Sequence, residues 1–299
     1  MLRHEPPSSP GRPSTDGFVW TRESWGTALR CASLTEVADH FFTTRQLRLR
    51  GASESDDWAH VASTIGVPPS RLLRLTQVHG HRVVVARRPE SAGRPASASL
   101  PLPENGSTSS RSGHDWPEAD ILVSDDPEVA LAIQVADCVP LLMADRRSGA
   151  VAAVHAGWRG TVAGAGPAAV DALSREFGAR PEDLLVAQGP SIGPCCYEVG
   201  GDLRGAFEES EFRTHIDRWF SRGADGRFLL DLWTANRDQL LASGVRPDAI
   251  HQSGLCTASH PDLFASYRRD GPGTGRIAAV VRSRGLSGES ENRGLRIED

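Results

Sequence analysis

Three apolar runs follow one another in the middle of the chain, at residues 129–135, 141–144 and 150–154. Runs in which almost every position is apolar are typical of strands buried on both faces of a sheet. Residues 146–149 predict a tight turn between the last two runs, since Gly149 can adopt positive φ without steric strain. The pattern therefore predicts buried strands at the centre of the fold.

Further strands are predicted on either side of this centre, and ordered structure is predicted to begin near residue 18. The segments with strand-like composition are 40–45, 72–78, 82–86, 184–187 and 276–282. A corner at residues 79–81 separates the second of these strands from the third. The chain therefore contains enough strands for more than one sheet layer.

Helices are predicted at 56–65, at 167–177, and from Asp231 to residue 241. Ser55 and Asp231 are the predicted N-terminal caps of the first and last helix. A Gly166–Pro167 pair is expected to interrupt a helix that would otherwise continue from Gly160. The glycines expected to end the three helices are Gly66, Gly178 and Gly244.

Polar, Pro-rich and Ser-rich stretches divide the 299-residue chain. Residues 1–16 and 284–299 are predicted to be disordered tails, because such segments bury too little apolar surface to become ordered. The long polar insertion 89–117 is predicted to be flexible for the same reason. One domain at 17–283 remains, predicted to be mixed α/β with buried β-sheet layers flanked by helices.

Composition narrows the classes of partner and compartment. A formal charge of −5 argues against nucleic acid as a partner, and no apolar run approaches the roughly 20 residues that span a bilayer. The N-terminal segment has no hydrophobic stretch of the secretory type. Five cysteines are an odd number in a chain that does not need disulfides, so a reducing cytoplasm is predicted. The surface pattern does not predict an oligomeric state.

A thiol and an imidazole stand at the ends of the central strands, where loops can expose rigidly held groups. These are Cys138 and His155, and His79 lies at the corner upstream. Three such ligands would leave a fourth position for water, as in catalytic zinc sites. The alternative interpretation is a small core cysteine and two hydrogen-bonded histidines. His81 competes with His79 as a ligand.

Six motifs occur in an order that resembles one protein family. Their residues are 76–80, 136–140, 155–160, 189–198, 231–233 and 266–270. Together they resemble the multicopper polyphenol oxidoreductase or laccase-like domain family, whose members are mostly described as zinc-dependent purine nucleoside phosphorylases with adenosine deaminase activity. The resemblance covers about 41–281 apart from the insertion, and it implies a fold like that of the cytotoxic-necrotizing-factor-like cysteine hydrolases.

The resemblance implies that His79, Cys138 and His155 hold zinc and carry catalysis. The implied substrates are phosphate and purine nucleosides of the adenosine, inosine, guanosine and methylthioadenosine class. Zinc lowers the pKa of water toward about 7, and such water can attack C6 of adenine. The chain departs from the family pattern at 46–51, where a Gly-Gly-Val-Ser type segment is usual.

Phosphorolysis requires cationic groups that can hold phosphate. The candidate guanidinium groups are Arg45, Arg159 and Arg268. Asp137, next to Cys138, is predicted either to orient a ligand, to act on a proton, or to be a solvated carboxylate.

Three other functions compete with the zinc enzyme. A blue multicopper oxidase needs several His-x-His pairs, and the chain has one, at residues 79–81; a single copper ion in the zinc site remains open. The second alternative is a metal-free hydrolase, with Cys138 as nucleophile and His155 as base. The third is a binding module without catalytic activity.

Overall fold

A computed structural model describes residues 15–88 and 116–285. The predicted tails, 1–16 and 284–299, and the predicted insertion, 89–117, lie outside the described residues except for residues 15–16, 284–285 and 116–117. No helix within the described ranges is both long enough and apolar enough to cross a membrane.

The described residues form fifteen strands and eight α-helices. The strands are β1 (Phe18–Glu23), β2 (Gly26–Cys31), β3 (Ala38–Thr43), β4 (Leu72–Leu73), β5 (Val83–Ala86), β6 (Ile121–Ser124), β7 (Ala130–Val135), β8 (Val139–Asp145), β9 (Val151–Ala156), β10 (Leu184–Gln188), β11 (Glu198–Val199), β12 (Phe220–Arg222), β13 (Phe228–Leu230), β14 (Ile250–Gln252) and β15 (Ile277–Ser283). The helices are α1 (Ala32–Thr35), α2 (Glu54–Ile65), α3 (Trp158–Val162), α4 (Ala165–Phe177), α5 (Gly201–Glu208), α6 (Ile216–Trp219), α7 (Leu232–Ala242) and α8 (Tyr267–Asp270).

Two six-stranded sheets and one small sheet are built from these strands. The first sheet has the order β1-β2-β3-β15-β7-β4, the second β14-β10-β8-β9-β6-β5, and the small sheet β11-β13-β12. Most neighbours are antiparallel, and the parallel pairs are β4–β7, β5–β6 and β10–β14. The last strand of the chain, β15, lies inside the first sheet between β3 and β7.

The two large sheets face each other across the main core, and helices cover their outer faces. Strand β15 shows the arrangement, because successive side chains of a strand point to opposite faces. Ile277 and Ala279 belong to the core between the sheets, whereas Ala278 and Val280 belong to a smaller core beneath α2. Helix α4 packs on β9 and β6 and also contacts α7. The predicted mixed α/β domain with buried sheet layers is confirmed.

The helix predictions are confirmed in outline and corrected in two details. Asp231 caps α7, accepting a hydrogen bond from the Thr234 backbone N–H at 3.0 Å. Ser55 lies inside α2 and is not its cap, because that helix begins at Glu54. The break between α3 and α4 falls at Gly164, with φ of 74°, and not at the Gly166–Pro167 pair. A proline in the first turn of a helix leaves no required donor missing.

The strand predicted at 72–78 is correct only for β4, at its first two residues. Beyond it the chain leaves the sheet, and a side chain takes over the role of the backbone. The side-chain amide of Gln77 donates to the carbonyl of Gln134 and accepts from its N–H, both at 2.8 Å. This pair attaches the segment that precedes His79 to the edge of β7.

His40 gives the fold an acid-sensitive contact. Its buried Nε2 accepts a hydrogen bond from the Cys31 N–H at 2.8 Å, and burial lowers the pKa of His40 from 6.5 to about 4. A lowered folded-state pKa means that the stabilisation is complete above about pH 6.5 and is lost as pH falls toward 4. The shift corresponds to about 3 kcal/mol. We expect the free energy of unfolding, measured in urea, to fall over this pH range. His40→Gln should remove the contribution of His40 to that fall.

A matched control for this prediction is His60→Gln, on the exposed side of α2. It should leave the pH dependence of the free energy of unfolding as it is in the parent chain. Equal pH profiles for the parent and His40→Gln would show that His40 is not the responsible group.

Candidate metal centre

The three predicted ligands come together in the fold. One nitrogen each of His79 and His155 and the sulfur of Cys138 all lie within 4.8 Å of one another. Cys138 stands directly before β8 and His155 near the end of β9, and the register of these antiparallel strands places Pro140 opposite His155. The pairing of these two strands therefore brings a thiol and an imidazole together at the end of the hairpin that lies away from its turn. His81, the competing ligand, is exposed and lies outside this group.

Two residues of the site have strained backbone conformations. His79 has φ of 64° and Asp137 has φ of 88°, in the region that favours glycine. Such conformations persist where the surroundings hold them in place, and they cluster at functional sites. Both residues are held by hydrogen bonds: the backbone N–H of His79 donates to Asp120, and the carboxylate of Asp137 accepts from the Arg268 backbone N–H.

The carboxylate of Asp120 joins the two histidine-bearing segments. It accepts hydrogen bonds from the His79 N–H at 2.9 Å, from the Gly80 N–H at 2.6 Å and from His155 Nδ1 at 2.7 Å. Asp120 is fully buried. The His155 contact fixes the orientation of the ring and leaves its Nε2 available as a ligand, as carboxylates do behind metal-binding histidines. Asp120 was not predicted from the sequence. A carboxylate directly before the apolar β6 was the signal that could have found it.

The pKa values of Cys138, His155 and Asp120 are all shifted from their ordinary values. Burial raises the pKa of the Cys138 thiol, but the charge of His155 and hydrogen bonds from His155 and His79 outweigh burial and lower it to about 6. Burial lowers the pKa of His155, and its contacts with Cys138 and Asp120 reverse that effect and raise it to about 9. Burial likewise raises the pKa of Asp120, and its hydrogen bonds hold it below the usual value. The arrangement favours the thiolate form of Cys138, which metal binding requires.

The contacts of Asp137 exclude one of the three roles predicted for it. Asp137 is buried, its Oδ1 accepts from the Thr257 hydroxyl and its Oδ2 from the Arg268 backbone N–H, both at 2.6 Å. It is therefore not a solvated carboxylate, and both of its oxygens are occupied by structural contacts. Its function is to hold α8, with Arg268, beside the loop that carries Cys138.

The ligand group lies in a cavity of about 620 Å³, together with three arginines. Two of them, Arg159 and Arg268, were predicted from the sequence. Arg276, directly before β15, was missed because neither its spacing nor its neighbours distinguish it. Arg45 lies elsewhere, in a second cavity of about 440 Å³, and donates to the Pro261 carbonyl.

Aromatic rings and carbonyls position the arginines of the cavity. The guanidinium of Arg268 donates to the Glu198 carbonyl at 2.6 Å and lies 5.1 Å from the centre of the Tyr197 ring. The guanidinium of Arg159 lies 4.3 Å from the centre of the neighbouring Trp158 ring. Arg276 is half-buried and donates to the Gly275 carbonyl at 2.9 Å. The cavity therefore combines soft ligands with cations that can bind an anion.

Gly157 is the position at which the smallest change should disturb the ligands. Its φ of −71° suits alanine, but a Cβ there would lie 2.7 Å from Cys138 Sγ. We expect Gly157→Ala to displace the thiol, to weaken metal binding and to lower the free energy of unfolding by about 1–3 kcal/mol. Calorimetric metal titration and urea unfolding measure the two effects.

The matched control is Gly201→Ala in α5, where an added Cβ meets open space. It should bind metal as the parent does and be at least as stable, since alanine is the better helix former. Unchanged metal affinity in Gly157→Ala would mean that Cys138 is not held against this backbone.

Comparison with known proteins gives one family for most of the chain. A family described as multi-copper polyphenol oxidoreductase laccase matches residues 53–284. A Bacteroides thetaiotaomicron protein named purine nucleoside phosphorylase is 42% identical over 163 residues, or 54% of this chain and 60% of that protein. A purine nucleoside phosphorylase of Deinococcus radiodurans is 36% identical over 239 residues, or 79% of this chain and 81% of the relative.

A further relative carries the name of a second activity. Adenosine deaminase RL5, from an unknown prokaryotic organism, is 38% identical over 157 residues, or 52% of this chain and 59% of that protein. The matched part thus spans less than two thirds of the Bacteroides protein and of RL5. Among solved structures, YlmD from Geobacillus stearothermophilus is similar, with a TM-score of 0.73 and 29% identity over 89% of this chain and 98% of that one.

Proposed function

This chain belongs to the multi-copper polyphenol oxidoreductase laccase family, and from that membership we propose that it is a zinc-dependent purine nucleoside phosphorylase that also deaminates adenosine. The relatives' names supply both activities. The single observation that carries the proposal is the ligand group of His79, Cys138 and His155 inside a cavity that also holds three arginines. Such a cavity combines the groups that both reactions require.

The donor set fits a catalytic zinc ion. His79, Cys138 and His155 supply two imidazole nitrogens and a thiolate, and three protein ligands leave one position for water or substrate. Asp120 orients His155, so that its Nε2 and not its Nδ1 faces the thiol. When bound, zinc would supply an acidified water, with a pKa lowered toward about 7. Copper is a second possible occupant, since it binds nitrogen and sulfur donors more tightly than zinc.

Phosphorolysis breaks the bond between C1′ of the ribose and N9 of the purine, and a phosphate oxygen forms the new bond to C1′. The chain must therefore hold an anion beside the sugar, and we assign this role to Arg159, Arg268 and Arg276. Guanidinium groups bind phosphate oxygens in pairs. Arg45 is left out of this assignment because it lines the second cavity.

Deamination replaces the amino group at C6 of adenosine by a water oxygen and releases ammonia. The chain contributes the walls that hold the base against the ligand group. Tyr197 and Tyr267 line the cavity, and Tyr267 is 52% exposed as a residue, so its ring can stack on a purine. Adenosine, inosine, guanosine and methylthioadenosine share that ring system and form the proposed substrate class.

The test is chromatography of adenosine incubated with purified protein, with and without phosphate. Adenine that appears only with phosphate is the expected product of phosphorolysis, and inosine in both samples is the expected product of deamination. Chelator-treated protein should form neither until zinc is returned. Absence of turnover on all four nucleosides would overturn the proposal and favour a binding module.

A second candidate function rests on one observation. Asp120, His155 and Cys138 follow one another through hydrogen bonds, with the thiol pKa lowered to about 6, in the order of a cysteine hydrolase triad. Cys138 would then be the nucleophile and His155 the base. Activity that survives chelation but is lost on treatment with iodoacetamide would favour this function over the zinc enzyme.

The proposed compartment is the cytoplasm. All five cysteines are free thiols, and Cys195 is exposed, which suits a reducing environment. Domain limits of 17–283 also belong to the proposal, with small-molecule nucleosides and phosphate as partners.

A further inference from the structure

A second group of cysteine sulfurs lies outside the lining of the cavity that holds His79, Cys138 and His155. Cys195 and Cys196 belong to the loop that follows β10, and Cys256 to the loop that follows β14. These two strands are parallel neighbours, so both loops leave the sheet at the same edge. The three Sγ atoms lie within 4.8 Å of one another.

Backbone contacts hold the two loops together. The Ser191 N–H donates to the Leu255 carbonyl at 3.2 Å, and the Thr257 N–H donates to the Ser191 carbonyl at 3.0 Å. The Gly193 N–H donates to the sulfur of Cys256 at 3.3 Å. The position of Cys256 relative to the other two cysteines is therefore set by the sheet edge.

We propose that Cys195, Cys196 and Cys256 form a second metal site, which binds a soft monovalent cation of the Cu(I) type. Thiolate sulfur selects such ions, and no imidazole or carboxylate belongs to the group among the described residues. A structural zinc site would require a fourth protein ligand. The occupant therefore differs in class from the ion proposed for His79, Cys138 and His155.

The geometry needs little adjustment to bind an ion. The sulfurs of Cys195 and Cys196 are 3.5 Å apart, and thiolates around one three-coordinate ion at about 2.3 Å, the length of a zinc–sulfur bond, lie roughly 4 Å apart. Cys256 Sγ lies within 4.8 Å of both sulfurs, so it needs to move by at most about 1 Å. Ser259 Oγ lies 3.5 Å from Cys195 Sγ and 3.3 Å from Cys196 Sγ, so a hydroxyl group lies beside both sulfurs. Binding transfers the thiol protons to the solvent.

The loop also reaches the first site. Tyr197, next to Cys196, lines the cavity, and the Ile192 N–H donates to the Asp137 carbonyl at 2.9 Å. An ion held by the three sulfurs would make the loop that carries Tyr197 more rigid, and with it this side of the cavity. The second site does not require that the proposed enzymatic activity be present.

The experiment titrates the reduced full-length chain with Cu(I), without oxygen, against a chromogenic Cu(I) chelator. A Cys138→Ala background removes the thiolate of the first site, and the two imidazoles that remain hold Cu(I) less tightly than thiolates do. This chain is expected to take up one Cu(I) ion, and the same chain with Cys195→Ser and Cys196→Ser is expected to take up none. Far-ultraviolet circular dichroism checks that both variants fold.

The matched control is Cys31→Ala in the Cys138→Ala background, because Cys31 is buried and belongs to neither ligand group. It should bind Cu(I) as its parent does. Equal uptake with and without Cys195 and Cys196 would overturn the proposal. A reduced chain that takes up no Cu(I), but forms a disulfide to Cys256 in air, would overturn it as well and identify a redox pair.

Discussion

For the proposed zinc enzyme, Cys138→Ala is expected to retain no zinc and to slow adenosine turnover by roughly a thousandfold while the chain stays folded. The thiolate is the anionic member of the ligand group, and two imidazoles remain without it. A catalytic metal supplies several kcal/mol of transition-state stabilisation, and about 1.4 kcal/mol corresponds to tenfold in rate. The side chain is only partly buried, so its loss leaves a small cavity. Metal analysis and steady-state kinetics measure the two effects.

Cys31→Ala is the control that removes a thiol of the core and leaves the ligand group intact. It should keep both zinc and turnover, although its stability falls. A Cys138→Ala chain that retains stoichiometric zinc and parental kinetics would show that the ligand assignment is wrong.

Asp120→Asn is expected to weaken zinc binding roughly 10- to 100-fold, the usual effect of removing a carboxylate behind a histidine ligand. The amide of asparagine has one oxygen and an NH2 group that only donates, so it cannot accept all three of the hydrogen bonds that Asp120 accepts. The N–H of His79 or of Gly80 then loses its partner in a partly buried place, which lowers the free energy of unfolding by about 1 kcal/mol. Calorimetric zinc titration and urea unfolding separate the binding effect from the folding effect.

Asp126→Asn is a matched control, since Asp126 is also buried and accepts a backbone N–H, from Glu128. Asp126 follows β6, whereas Asp120 precedes it, so Asp126 lies away from the ligand group and zinc affinity should not change. Asp120→Asn with unchanged zinc affinity, at whatever stability, would mean that the carboxylate does not orient His155 as a ligand. In the metal-free hydrolase, the same variant would lower activity that chelation leaves untouched.

Local pattern was sufficient for the three longest helices and for the central strands, but it did not predict β1, β2 or β6. The apolar runs at 129–135, 141–144 and 150–154 became β7, β8 and β9, because a strand buried on both faces leaves a continuous apolar run. The pattern failed at 72–78, where the contact that fastens the chain is made by the Gln77 side chain. Hydrophobic periodicity carries no record of such a contact.

The sequence by itself also predicted the three candidate ligands, because thiol and imidazole chemistry is confined to few residue types and the surrounding motifs resemble one family. Only the tertiary structure decided which other groups join them. Asp120 and Arg276 have ordinary local surroundings, and they reach the site because β6 pairs with β9 and β15 pairs with β7. The same holds for Cys256, which meets Cys195 and Cys196 across two parallel strands. Hydrogen bonds between distant strands set these distances, and residue type and spacing along the chain do not encode them.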